Sequence, residues 1–162
     1  MSTVLEMVEL EEKDNLALLL NEHLKEHNQY QNPRTGPETA SEYVYFSDYW
    51  KEEGRYPFYI VADSEVVGFV LIRTVFDPEE LFYQVSEFYI CPAHRRKGYG
   101  KQAVAALWAK LKGKWEFQVL ALNDRAYNFW SKCTENLGQS GLKITEKIET
   151  DGVRYQFNFQ VQ

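Results

Sequence analysis

Cysteine is scarce in this chain. Only Cys91 and Cys133 occur among 162 residues, in no metal-type spacing and too few for a disulfide framework, which favours a reduced, cytosolic setting. Also missing are apolar runs of about eighteen residues and an apolar core near the N-terminus, so neither a membrane span nor secretion is predicted. There is no excess of basic charge: the net charge is −6 and the pI near 5.2, which argues against nucleic acid as the main partner. That acidic balance would welcome a cationic substrate in a general way. There is no internal repeat and no low-complexity tract.

What the chain has in quantity is aromatic side chains, 15% of residues with eleven Tyr and ten Phe, a composition that disfavours disorder. The length fits a single domain over residues 1–162 with a real core. The most informative stretch is Tyr83 to Gln102, YQVSEFYICPAHRRKGYGKQ. It opens as an apolar and aromatic strand and stops at Pro92, which cannot donate to a sheet ladder. A basic loop follows, Arg95-Arg96-Lys97-Gly98-Tyr99-Gly100-Lys101. Then comes a helical pattern with Ala103, Leu107 and Leu111 four residues apart. A strand, a basic glycine loop and a helix N-terminus together make an anion site, because the first N–H groups of a helix lack internal partners and the macrodipole favours negative charge. Glycine lets the backbone approach a phosphate.

Three phosphate-loop readings compete. A P-loop requires Ser or Thr after Gly-Lys, whereas Gln102 follows Gly100-Lys101 and Arg95 stands where the first Gly belongs. The dinucleotide fingerprint is matched formally by Gly98, Gly100 and Ala103, but the segment from Pro92 to Lys97 separates the first Gly from the strand end. The third reading is a resemblance. Arg95-x-x-Gly98-x-Gly100 after an apolar strand resembles the coenzyme A pyrophosphate loop of the GNAT superfamily of N-acetyltransferases. Asn123-x-x-Ala126-x-x-Phe129-Trp130-x-Lys132 resembles that family's later helix motif.

The remaining elements are read from pattern. Thr3 to Leu10 reads as a first strand. A helix follows from about Asp14, with Leu16, Leu19, Leu20, His23, Leu24 and His27 on one stripe. His23 and His27, four apart, suit either one metal ion or two partly buried or surface histidines; no metal is assigned. Asn28 to Thr39 reads as a loop. In Ala40 to Glu53, Tyr43, Phe46 and Trp50 share a helical face, as core or as the wall of an acceptor pocket, where aromatic faces attract a cationic amine. Phe58 to Ala62 and Val66 to Phe76 are strands joined by Asp63-Ser64-Glu65, and Asp77-Pro78-Glu79-Glu80 turns into the next strand. Short connections make these three strands antiparallel. A helix over about Tyr99 to Lys112 is long enough to cross over to a parallel strand, Trp115 to Leu122. A helix from about Asp124 to Leu137, a loop over Gly138 to Leu142, and a hairpin of Ile144 to Thr150 and Val153 to Gln160 around Asp151-Gly152 complete the chain. The fold class is therefore α/β (α+β), a mixed, mostly antiparallel sheet of about seven strands flanked by about four helices.

The resemblance implies more. The fourth and fifth strands, parallel neighbours, would splay apart to admit the pantetheine arm, bonded to the main chain of Phe88, Tyr89 and Ile90. Arg95, Arg96, Lys97, Gly98, Tyr99, Gly100 and Lys101 would hold the pyrophosphate. Asn123 would contact the pantetheine or cap its own helix, and Phe129 would be core or cofactor wall. The implied reaction is direct attack of a primary amine on the thioester of acetyl-coenzyme A, the co-substrate. Glu87, the one carboxylate in its strand, is the first candidate base if burial raises its pKa; on a solvated sheet face it would have no such role. The sequence departs from the family at Trp130, where a Tyr usually serves as proton donor to the thiolate; Tyr127, one turn earlier, is the substitute. Another family base position falls on Gln118, which is no base. Cys133 has no partner base to make it a nucleophile. A non-catalytic acyl-coenzyme A sensor is the alternative. The acceptor, a small molecule or a peptide amine, stays open, as does pairing into a homodimer; no nucleic acid or membrane partner is expected.

Overall fold

A computed structural model describes residues 3–31, 36–137 and 140–162. All its strands lie in one seven-stranded sheet of order β1-β2-β3-β4-β5-β7-β6. The strands are β1 (Thr3–Met7), β2 (Arg55–Ala62), β3 (Glu65–Phe76), β4 (Leu81–Ile90), β5 (Gly113–Leu120), β6 (Ser140–Glu149) and β7 (Gly152–Val161). The α-helices among the described residues are α1 (Lys13–His27), α2 (Tyr99–Lys110) and α3 (Asp124–Asn136). Every neighbouring pair of strands is antiparallel except β4 and β5, which are parallel and joined through α2. None of the described helices is long and apolar enough to cross a membrane.

The sheet separates two cores, and strand alternation assigns residues to them. On one face Phe58, Ile60, Val70 and Ile72 pack with Ala103, Val104, Leu107 and Trp108 of α2 and Trp130 and Cys133 of α3. On the other, Tyr59, Val61, Phe69 and Leu71 pack against Leu16, Leu20 and Leu24 of α1 and against Phe46 and Tyr49. The leucines recur every four residues, so one stripe of α1 is buried and the rest is solvated.

Three expectations change. The segment from Ala40 to Glu53 is not an α-helix but two 3₁₀ turns, Ala40–Glu42 and Ser47–Trp50, closed by bonds such as Tyr43 N–H to Ala40 O and Tyr49 N–H to Phe46 O. The run Tyr43-Val44-Tyr45-Phe46 is β-branched and aromatic, with low helix propensity, and packing on the sheet decides its path. The β2–β3 turn is tighter than expected: Asp63 and Ser64 both take positive φ, 52° and 64°, the twist a two-residue hairpin requires, and Glu65 already belongs to β3. Strand β6 begins at Ser140, so residues 140–142 of the loop expected over Gly138 to Leu142 are strand; residues 138–139 lie outside the described residues. Residues 32–35 of the expected loop from Asn28 lie outside them too, and Asn28–Tyr30 forms a 3₁₀ turn.

Strand β4 carries the feature that shapes the site. Leu71 faces Glu87 but Ile72 faces Val85, so Ser86 is an extra residue, a β-bulge. A bulge bends its strand and shifts side-chain parity. Tyr83 and Val85 point to the α2 and α3 core before it, and Phe88 and Ile90 point there after it. Past the bend, β4 leaves β5: their pairing is confined to Tyr83 opposite Trp115. The gap beyond is where the chemistry-bearing residues meet.

Candidate active site

Two cavities meet along β4. The first, of about 400 Å³, runs from the open end of the β4–β5 gap to the N-terminus of α2. In the β3–β4 ladder the Cys91 N–H bonds to Val67 O. Because main-chain groups alternate direction in an antiparallel pair, Tyr89 also faces β3, while Phe88 and Ile90 turn their N–H and C=O groups toward the gap. Gly68 sits opposite Ile90, and a Cβ there would stand 2.0 Å from Tyr89 O, so only glycine permits this strand approach.

The basic loop is held from several sides. The Arg95 Nε donates to Ile90 O at 2.7 Å, one of its NH2 groups donates to Glu26 of α1 at 2.9 Å, and its guanidinium lies 5.4 Å from the Tyr89 ring centre. Glu26 also accepts from Arg125 of α3 at 2.9 Å, so one carboxylate ties α1 to both sides of the cleft. Arg96 and Gly98 both take positive φ, 64° and 82°, and Gly98 precedes α2, whose first N–H groups open on the cleft. A Cβ on Gly98 would have only Gln102 Nε2 near it, at 3.9 Å, so the space over the loop is open. A phosphorylated group approaching α2 would meet unblocked main-chain donors with Arg96 and Lys101 beside them.

Phe88, Tyr89, Ile90, Arg95, Arg96, Gly98, Tyr99, Gly100, Lys101, Asn123 and Phe129, all expected to bind the cofactor, line this first cavity. Lys97 is not among its lining residues. Asn123 accepts from Ala126 N–H at 3.1 Å and so caps α3; its amide nitrogen is left over for a ligand. Phe129 packs against Phe88 and against the bare Cα of Gly100. Trp130 also lines the cavity, its ring 4.6 Å from Phe117.

The second cavity, of about 300 Å³, lies at the bulge, between Ser86 and Glu87 of β4 and Gln118 of β5. His27 lines both cavities. Glu87 accepts from Tyr43 at 2.8 Å through one oxygen and meets His23 Nε2 at 2.8 Å through the other. Here the expectation is reversed. Burial alone would raise the Glu87 pKa, but the His23 hydrogen bond, the charges of His23 and His27 and the Tyr43 hydrogen bond together hold it below the ordinary value. The Tyr43 phenol is pushed far up by burial and by Glu87, so it remains a donor. Burial lowers the His27 pKa from 6.5, against the opposing pull of Glu87; at neutral pH it is an uncharged imidazole.

Tyr127 lines neither cavity; its ring packs on Tyr155 and Phe157 at 5.0 and 5.8 Å. Cys133 is buried and its thiol is pushed up to about 11 by that burial, far from a reactive thiolate. The described residues contain no cluster able to hold a metal; His23 spends its ring nitrogen on Glu87. Missed by sequence reasoning were His27 as the residue common to both cavities and Arg55, Arg73 and Arg154 around the second.

Residues 20–134 match the family model described as "Acetyltransferase (GNAT) family". Among solved structures, AAC(6')-Ib in complex with parmomycin and acetyl-CoA is 17% identical with a TM-score of 0.71, over 99% of this chain and 94% of that one. The ribosomal-protein-S18-alanine N-acetyltransferase of Escherichia coli is 15% identical with a TM-score of 0.62, over 99% and 94%. NAA60 of Arabidopsis thaliana, in complex with a bisubstrate analogue, is 12% identical with a TM-score of 0.66, over 98% of each chain. At such identities the likeness is one of fold. No curated protein matches significantly in sequence.

Proposed function

Because the chain belongs to the acetyltransferase (GNAT) family, we propose that it transfers an acetyl group from acetyl-coenzyme A to a primary amine by direct attack. The observation that carries this reading is the β4–β5 gap: it begins at the Ser86 bulge, exposes the Phe88 and Ile90 main chain, and ends at the α2 N-terminus. In this reading the first cavity takes the pantetheine and pyrophosphate of the coenzyme, and the second, which shares His27 with it, admits the acceptor to the same part of β4.

When bound, acetyl-coenzyme A supplies an activated acetyl thioester. The loop from Arg95 to Lys101 holds its phosphates through main-chain amides, with Arg96 and Lys101 adding attraction and Arg95 bracing the loop against Ile90 and Glu26. The Phe88 and Ile90 main chain aligns the pantetheine arm, Asn123 adds its amide, and Phe129 forms the wall. The Ile90 N–H donates to the carbonyl oxygen as charge builds there.

The attacking amine must be neutral, although an alkyl amine has a pKa of about 10. His27 takes its proton, directly or through one water, since it is uncharged and adjoins both cavities. Glu87, ionised and fixed by His23 and Tyr43, is the charge that stabilises the resulting imidazolium. The sulfur leaves with the C–S bonding pair as a thiolate and takes a proton from solvent; with a thiol pKa of about 8.5 it departs near neutral pH without a dedicated acid, consistent with Trp130 at the position where the family usually carries a Tyr. Calorimetric titration with acetyl-coenzyme A, followed by free-thiol release with a panel of amines, tests the proposal. Binding plus amine-dependent release supports it. Binding without release for any amine would leave a sensor, and no binding would remove the assignment.

A further inference from the structure

Three arginines line the second cavity of this acidic protein. Arg55 of β2, Arg73 of β3 and Arg154 of β7 line it, and its only carboxylate, Glu87, is already held by His23 and Tyr43. Arg55 and Arg73 are direct cross-strand partners, and Arg73 in turn faces Gln84, another lining residue. Like charges directly opposite one another destabilise a sheet. Arg55 is relieved at one edge by Glu52 at 2.7 Å, and Arg154 by Asp151 at 2.6 and 2.8 Å. Arg73 is exposed and has no hydrogen-bond or ion-pair partner among the described residues. Arg55 gives Glu52 its Nε, and its two NH2 groups carry donors beyond the one that reaches Tyr49.

Two of the three tyrosine rings that line the cavity do not offer it to a cation. The Arg55 guanidinium lies 5.5 Å from the Tyr45 ring centre and 5.1 Å from that of Tyr49, so this chain supplies its own cation to those faces. What the lining offers a ligand is therefore Arg73, which has no acidic partner among the described residues, and the donors Arg55 does not give to Glu52.

We propose that the acceptor is a small amine bearing an oxyanion, a carboxylate or a phosphate, bound by Arg73 and Arg55 with its amine beside His27. This rests on the acetyltransferase reading for the cofactor side alone. Because Ser86 is bulged out, Glu87 and Gln84 lie opposite Leu71 and Arg73, two residues or about 7 Å apart along the sheet, so the amine and the oxyanion sit several ångströms apart. Planar guanidinium groups suit either oxyanion, and bidentate pairing orients it. A dication such as a polyamine would meet the arginines and be repelled.

The test measures binding to the protein preloaded with coenzyme A, so that it does not depend on turnover. Probes are glycylglycine, γ-aminobutyrate and phosphoethanolamine, each against a counterpart lacking the anion (glycylglycinamide, γ-aminobutyramide and ethanolamine), with putrescine as the dication. At least one oxyanionic amine binds tenfold or more tightly than its counterpart, and the better of the carboxylate and phosphate arms identifies the oxyanion. Arg73→Gln, an exposed change, abolishes that preference and leaves coenzyme A affinity unaltered. Equal binding of counterparts, tighter binding of putrescine, no binding of any probe at millimolar concentration, or an unaltered preference in Arg73→Gln overturns the inference. Failure of the transferase reading looks different: coenzyme A does not bind, or oxyanionic amines bind and no amine releases thiol.

Discussion

His23 Nε2 and Glu87 Oε1 lie 2.8 Å apart, across 64 residues of sequence, and this pair fixes α1 to the bulge of β4. It predicts an acid limb in stability. The Glu87 pKa is lowered by folding, net of the burial that opposes it. Its contribution is present above the unfolded carboxyl pKa, 4.5, and is lost as pH falls through the folded value. His27, kept uncharged by burial, acts in the same sense: below about 6.5 the unfolded chain binds a proton that the folded chain binds less well. Denaturant titrations from pH 8 to pH 3 will show stability falling from about 6.5 downward, in two stages. Glu87→Gln costs about 1–3 kcal/mol at pH 7, and the difference from wild type closes below the lowered carboxyl pKa. A constant difference across the range would mean that Glu87 is not ionised in the fold.

The junction position of His27 predicts a kinetic signature. If His27 takes the proton, His27→Gln lowers kcat/KM by about 10²-fold or more and leaves acetyl-coenzyme A affinity within a factor of about two. Because burial lowers the imidazole pKa, the wild-type rate holds through pH 6.5 as pH falls and declines only below it. Glu87→Gln keeps cofactor affinity but lowers turnover, since the imidazolium loses its counter-charge. A full rate in His27→Gln would transfer the base role to Glu87 or to water.

Two glycines of the loop are required for different reasons, and substitutions separate them. At Gly98 there is room for a Cβ but φ is +82°, so Gly98→Ala strains the backbone by about 1–2 kcal/mol. Gly98→Asn, with a side chain that tolerates that region, recovers much of the loss. At Gly100 a Cβ would stand 2.9 Å from Phe129 Cε1 and 3.7 Å from Ile90 Cγ1, so Gly100→Val displaces the cofactor wall. We expect at least tenfold weaker acetyl-coenzyme A binding for Gly98→Val and Gly100→Val, read by calorimetry, with a cooperative melt retained. Wild-type affinity in both would exclude the loop from phosphate binding.

The succession of strands along the chain and the glycine loop that opens α2 were legible because their signals are local: turn residues, alternation, and the glycines after an apolar strand. The relations that build the site are not local. Counting back from the Asp63-Ser64 turn sets Arg55 opposite Ile72, and only the irregularity between Ile60 and Val61 moves it opposite Arg73. Likewise the Ser86 bulge is written as a break in alternation, with Tyr83 and Val85 followed by Phe88 and Ile90, yet its consequence, the separation from β5, depends on the whole sheet. His23 and His27 stand four apart with rings 5.6 Å from one another, but Glu87, the partner of His23, comes from a strand that nothing near them in sequence names. Tyr43 to Trp50 failed as a helix because a shared apolar face is also satisfied by 3₁₀ turns packed on a sheet.

Tyr127 gives the sharpest test of how far the family's chemistry carries over. Its spacing on α3, one turn before Trp130, made it the candidate donor to the departing thiolate. Its ring instead packs on Tyr155 and Phe157 of β7 and lines neither cavity. Tyr127→Phe keeps that packing and removes only the hydroxyl. If the thiol leaves unassisted, the variant retains kcat within about twofold. A loss of tenfold or more in kcat at saturating acetyl-coenzyme A, with cofactor affinity unchanged, would mean that α3 turns during turnover and that Tyr127 is the acid. Steady-state thiol release by the two proteins, beside calorimetric titration of acetyl-coenzyme A, decides between these outcomes.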